Sequence, residues 1–231
     1  GVVTGFGPYN LEDVDWYFAN RGKTFHSELG IVAIPTVESM NAMMPAEDLW
    51  PISDMWAVHD YQGTKTSGRS PMFTKRVSQR YGQPSSLEDY CREAQMVNLE
   101  SAKAMYECLQ ANQGGGVLLW MTQSAWPSVI CQLYDHYFEV TAAYFGAKTG
   151  CEPVHIFWDA NADVIKIANN TQTNLDGLTA EARLYSLDGK ELWHKSVPFD
   201  LPETSVKDCF PITRPTETSP VFFVKLTLRR H

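Results

Sequence analysis

The chemistry of this sequence centres on a single carboxylate. Glu28 closes a short β-prone run, Thr24-Phe25-His26-Ser27-Glu28-Leu29, which Gly30 ends. In a parallel β/α architecture, catalytic groups gather at the C-terminal ends of strands. A carboxylate placed there can serve as nucleophile, base or ligand. A second set is aromatic. Trp50 and Trp56 share one stretch with Asp54, His59, Asp60 and Tyr61, while Trp120 and Trp126 flank the end of the apolar run Val117 to Met121. Sugars present C–H faces that pack on flat rings, and carboxylates and imidazoles bind their hydroxyls. Trp beside Asp and His therefore has the composition of a carbohydrate site. Each residue also has a plainer use: a strand-end Glu as a solvated or paired surface group, a Trp as core.

Other chemistries lose support. The chain has no Gly-x-Gly-x-x-Gly, no phosphate loop, no Gly-x-Ser-x-Gly and no His-Glu-x-x-His. That argues against nucleotide cofactors and the common serine and zinc hydrolases. Five cysteines (91, 108, 131, 151 and 209) show no close spacing, so no metal site is expected and free thiols are, with one disulfide left open. The net charge of −8 repels phosphate backbones and disfavours a nucleic-acid partner. No apolar stretch reaches the roughly 18 residues of a membrane span.

The elements that must position these groups change character near residue 152. Before it, Leu11–Asn20 reads as a short helix and 31–84 as long loops with short helices. A strong helix begins at a capping box, Ser85-Ser86-Leu87-Glu88, with Ser85 as cap and Glu88 three residues on. Its apolar face repeats through Leu87, Tyr90, Cys91, Ala94, Val97, Met105 and Cys108. The glycines of 114–116 stop it and supply a left-handed C-terminal position. Val117–Met121 lacks alternation and predicts a strand buried on both faces. A further helix is expected from about Cys131 to Lys148. Strand, loop, helix, strand, loop, helix is the order of a β/α unit.

After residue 152 the runs alternate. Phe222, Val224, Leu226 and Leu228 share a face, Val164–Ile167 and Ala180–Tyr185 behave alike, and Asp188-Gly189 marks a hairpin. Five or six such strands predict an antiparallel sandwich. Asn169-Asn170-Thr171 matches a glycosylation sequon. The N-terminal Gly1–Pro8 has no Met and no leader-like pattern, and the C-terminal run ends without a turn. Both ends read as cut from a longer polypeptide.

Several segments together resemble glycoside hydrolase family two, in its exo-glucosaminidase, mannosidase and galactosidase branches. Phe25-His26-Ser27-Glu28-Leu29-Gly30 resembles the nucleophile segment. Met44-Pro45, Leu49-Trp50-Pro51 and Trp56-Ala57-Val58-His59-Asp60 look like the loop that follows it. Leu118–Met121 and Ser124-Ala125-Trp126-Pro127-Ser128 are similar to the last barrel strand and its loop. Leu133–Tyr137, Ala143–Lys148 and Cys151–His155 look like the final helix and its exit.

The resemblance implies an α/β plus all-β chain: 1–152 the C-terminal portion of a TIM (β/α)8 barrel, 153–231 an immunoglobulin-like β-sandwich, truncated at its end. It implies a retaining exo-acting β-glycosidase with Glu28 as nucleophile. Trp120 would floor the sugar subsite, with Trp50, Trp56, His59, Asp60 and Trp126 near the substrate. It implies an oligosaccharide or glycoside substrate and a periplasmic or secreted location; no cofactor is expected, and metal dependence is left open. The family's acid/base Glu follows an Asn, and no Asn-Glu pair occurs here. The isolated chain is therefore expected to be inactive. The rest of the same polypeptide is its expected partner, and exposed strand edges favour self-association. The alternative is a non-catalytic carbohydrate-binding or scaffold protein that keeps the aromatic set.

Overall fold

The computed structural model describes residues 9, 11–62, 70–216 and 218–230. Gly1–Pro8 and His231, read above as cut ends, lie outside the described residues. Chain order is α1 (Val14–Asn20), β1 (Phe25–Leu29), α2 (Val37–Met43), α3 (Ala46–Leu49), α4 (Met55–Val58), α5 (Ser70–Tyr81), α6 (Leu87–Ala111), β2 (Gly116–Leu119), α7 (Ala142–Gly150), then β3 (Val154–Asp159), β4 (Val164–Asn169), β5 (Leu175–Tyr185), β6 (Glu191–Leu201), β7 (Ser205–Pro211) and β8 (Phe223–Arg230).

Helix α6 forms as its periodicity predicts. Its face of Leu87, Tyr90, Cys91, Ala94, Val97, Met105 and Cys108 is buried. The cap falls one residue later than expected. Ser86 is extended and its hydroxyl accepts from the Asp89 N–H at 3.2 Å. Ser85 instead donates to the Asp89 carboxylate. At the other end Gln113, not a glycine, takes the left-handed φ of 51°. Gly114 is needed for packing, since a Cβ there would lie 2.1 Å from the Gly22 carbonyl oxygen.

β1 and β2 pair in parallel, Phe25 opposite Gly116 and Leu29 opposite Leu119. The expectation that this second strand is buried on both faces does not hold. Leu118 is 56% exposed, because among the described residues only β1 flanks β2. Residues 31–34 leave β1 as an irregular but buried segment. Buried carbonyls must be paired, and three side-chain amides do this. Asn98 donates to Val32 O at 2.7 Å, Gln132 to Ala33 O at 3.4 Å, and Gln95 to Ile34 O.

The helix expected from Cys131 is shorter: only α7, Ala142–Gly150, forms. Asp135 Oδ1 accepts from the Tyr137 and Glu139 N–H groups at 2.8 and 3.0 Å. That local turn competes with helix for the same donors. Residues 133 and 134 fold back on Thr122 O, both at 2.9 Å.

The six later strands form two antiparallel sheets, β3-β4-β7 and β6-β5-β8. Ile165, Ile167, Leu178, Ala180, Ala182, Leu184 and Phe210 share one core between them, as period-two alternation demands. Gly189 takes φ 82° at the β5–β6 turn. The sequon asparagine, Asn169, is fully buried. Its amide donates to Thr173 O and Pro202 O at 2.9 Å and its oxygen accepts from Thr171. It anchors a turn and presents no acceptor for a glycan.

The two parts meet across a buried junction. Phe157 of β3 stacks on Phe18 of α1, centroids 6.3 Å apart. His155 lies between two carboxylates: Nε2 is 2.8 Å from Glu107 Oε1 and Nδ1 is 3.0 Å from Glu152 Oε2. All five cysteines are unpaired. No helix among the described residues is long and apolar enough to cross a membrane. No group of three metal-binding side chains occurs among them.

Candidate active site

The backbone segments that carry Glu28 and Trp120 meet at one end of the parallel pair. β1 carries Glu28 next to its last residue, and the Trp120 N–H donates to Leu29 O at 2.9 Å, extending the pairing beyond β2. The Trp120–Met121 peptide is cis. Trp120 is 45% exposed, so its indole is open to solvent. Gly30 permits the approach: a Cβ there would lie 2.1 Å from the Trp120 carbonyl oxygen and 3.5 Å from Cys131 Cβ.

Tyr9 completes this group. Its hydroxyl donates to Glu28 Oε2. Partial burial, and then the hydrogen bond and charge of Glu28, push the tyrosine well above its ordinary value. It therefore stays a donor across the ordinary pH range. The sequence alone gave no signal for it. It lies 19 residues from Glu28, in a segment without periodicity.

The second group gathers at a loop. Trp126 Nε1 donates to Asp60 Oδ2 at 3.1 Å, and the His59 and Trp126 rings stack with centroids 6.0 Å apart. His59 Nδ1 is 2.8 Å from Pro127 O, and the Val129 N–H donates to His59 O at 2.9 Å. Asp60 holds φ 66°, a conformation Asp tolerates better than most residues. Trp126 is 46% exposed. The segment carrying it is fixed from below by buried Ser124, Ser128 and Gln132, bonded to one another. Met121 N donates to Cys131 O at 3.3 Å, so one loop carries both Trp120 and Trp126.

Trp50 and Trp56 fall elsewhere. Trp56 is completely buried, and its Nε1 donates to Asp48 O at 3.1 Å and Leu49 O at 3.2 Å. Its ring packs on Tyr61 and Tyr90. An indole so enclosed cannot touch a ligand, so its expected substrate contact is corrected to a core role. Trp50 is half-buried against the same core, 5.6 Å from Tyr90. The structure thus groups Glu28 with Trp120, and His59 and Asp60 with Trp126, and sets Trp50 and Trp56 beneath the loop. Burial pushes the Cys91, Cys108 and Cys131 thiols up to about 12, so none is a ready thiolate nucleophile.

The geometry joins a strand-end carboxylate, a tyrosine donor and open indoles, and comparison with known proteins supplies its context. No family model matches the chain. An exo-β-D-glucosaminidase of Amycolatopsis orientalis is 34% identical over 203 residues, 80% of this chain and 19% of that protein. One from Arthroderma benhamiae is 27% identical over 96% of this chain and 27% of its own length. A mannosylglycoprotein endo-β-mannosidase of Lilium longiflorum is 29% identical over 97% and 25%. The chain thus spans about a quarter or less of these relatives. Among solved structures, an exo-chitosanase of Amycolatopsis orientalis superposes with a TM-score of 0.87 at 27% identity, covering 97% of this chain and 28% of that one. A β-D-mannosidase of Dictyoglomus thermophilum, at 20% identity and TM-score 0.77, shares the fold over 93% and 27%.

Proposed function

Starting from a chain that is a homologue of the exo-β-D-glucosaminidases and β-mannosidases of glycoside hydrolase family two, we propose that it carries the nucleophile of a retaining exo-β-glycosidase. On this reading residues 1–152 are the closing part of a (β/α)8 barrel and 153–231 an immunoglobulin-like sandwich. The parallel β1–β2 pair and the two antiparallel sheets support that division. The substrate is a terminal β-D-glucosaminide or β-mannoside, the classes named for the relatives.

The observation that carries the reading is Glu28 beside Trp120 at the strand ends, with Tyr9 donating to its carboxylate. Retaining glycosidases work with two carboxyl groups about 5–5.5 Å apart. Glu28 attacks the anomeric carbon through Oε1, because Tyr9 occupies Oε2. As the new C–O bond forms, the bond to the aglycone oxygen breaks. A protonated second carboxyl, from polypeptide outside these residues, gives its proton to that oxygen. The same group then takes a proton from water. The water oxygen bonds to the anomeric carbon and releases Glu28. Trp120 lies under the sugar ring, and His59, Asp60 and Trp126 line the approach. Trp50 and Trp56 hold the loop that presents them.

Two experiments test this. In the intact polypeptide, Glu28→Gln should abolish hydrolysis of aryl β-glycosides while leaving the fold unchanged. Residues 1–231 alone should show no turnover. Retained turnover in the variant would remove Glu28 from the mechanism. Sugar binding without any turnover in the intact polypeptide would favour a non-catalytic carbohydrate-binding role.

A further inference from the structure

A second opening lies at the far end of β2. A cleft of about 440 Å³ runs between the C-terminal end of α6, the start of β2, the end of α7 and the β4–β7 edge of the sandwich. Gly116 and Val117 line it, whereas Trp120 follows the other end of that strand. At about 3.3 Å per residue the two ends are roughly 10 Å apart. The cleft is therefore separate from the Glu28 group.

Among the described residues its lining holds no Asp, Glu, Lys, Arg or His. Polar groups come from Tyr106, Gln110, Gln113, Asn170, Thr204 and Ser205, with apolar surface from Val117 and Val206. The Gln110 amide is held by a bond from Nε2 to Gly150 O. Its Oε1 is buried and accepts no hydrogen bond among the described residues. The volume lies in the range of roughly 300–1,000 Å³ of small-molecule sites.

We propose that this cleft binds a neutral saccharide of one or two hexose units. Amides and hydroxyls that both donate and accept match sugar hydroxyls, and the valines match its C–H faces. An amino sugar fits poorly, because its ammonium would be desolvated with no carboxylate to pair it. The inference does not depend on the glycosidase reading, since no residue of the Glu28 group lines the cleft.

Cys151 lines the cleft, is exposed and is unpaired, which gives a direct probe. In the intact polypeptide the alkylation rate of Cys151 by N-ethylmaleimide is followed by mass spectrometry at mildly alkaline pH. Millimolar cellobiose should slow it several-fold in the wild type and equally in Glu28→Gln. Glucosamine should not. Asn170→Trp and Ser205→Tyr, checked for folding by circular dichroism, should lose the protection. Absent protection by cellobiose, equal protection by glucosamine, or protection lost in Glu28→Gln would each overturn the proposal. If both plugging variants misfold, the comparison of wild type with Glu28→Gln and of the two sugars still decides it.

Discussion

Gly30 sits so close to Trp120 that a Cβ on it would fall 2.1 Å from the Trp120 carbonyl oxygen. The obstacle is backbone on both sides, so neither can yield by a change of rotamer. The glycine thus sets how near the end of β1 comes to the indole-bearing turn after β2. Gly30→Ala is expected to cost about 1–3 kcal/mol of stability through overpacking. On the proposed function it should also lower turnover by the intact polypeptide, because Trp120 moves relative to Glu28. Denaturant midpoints and kcat/KM measured together check this; an unchanged kcat/KM would show that the approach is not needed for turnover.

Tyr9 donates to Glu28 Oε2 and is held protonated by burial and by that carboxylate. Tyr9→Phe keeps the ring and removes the donor. With Glu28 no longer fixed through Oε2, misplacement of the attacking oxygen should cost up to roughly 10²-fold in kcat. Since the tyrosine's own pKa is raised, no loss of activity on the alkaline side below pH 10 should trace to it. The alkaline limbs of the pH profiles of wild type and Tyr9→Phe should therefore differ in height and not in shape.

His26 is buried on β1, and neither ring nitrogen has a hydrogen-bond partner among the described residues. Desolvation, and then the Arg21 charge, lower its pKa. The unfolded chain takes up a proton near the usual imidazole value of about 6.5, while the folded chain resists. Stability is thus full above that pH and falls as pH drops towards the lowered folded value. Urea midpoints between pH 7.5 and 5 should show this fall, and His26→Phe should flatten it without loss at pH 7.5. A flat wild-type profile would contradict the assignment.

Much of this was readable in advance, for physical reasons. α6 announced itself because a long amphipathic face repeats at helical spacing, and the sandwich because its strands alternate. Glu28 and Trp120 were placed at strand ends by the β-prone and apolar runs that precede them. The helix expected from Cys131 failed because the Asp135 side chain captures the N–H groups of Tyr137 and Glu139, which aromatic composition does not reveal. Trp56 looked like a ligand-facing loop residue but is core, because its indole N–H finds backbone partners in α3. The amides that hold residues 31–34 left a faint trace. Gln95 and Asn98 are polar residues adjoining the buried Ala94 and Val97 of α6.

His155 and Glu107 are both buried, 2.8 Å apart, where α6 meets β3. Removing Glu107 leaves the buried His155 Nε2 without its partner while Glu152 keeps Nδ1, at about 1–3 kcal/mol. Glu107→Ala should therefore destabilise strongly. Replacing both by apolar residues of similar volume should recover most of the loss. A double variant as unstable as the sum of the singles would show that the pair is not coupled.

The most direct test of the central claim uses covalent trapping. The intact polypeptide is incubated with a 2-deoxy-2-fluoroglycosyl fluoride of the preferred sugar, digested, and its peptides sequenced by mass spectrometry. The account predicts one glycosyl adduct, on Glu28 in the Phe25–Gly30 segment, and none in Glu28→Gln. An adduct on any other carboxylate of an active preparation would contradict it.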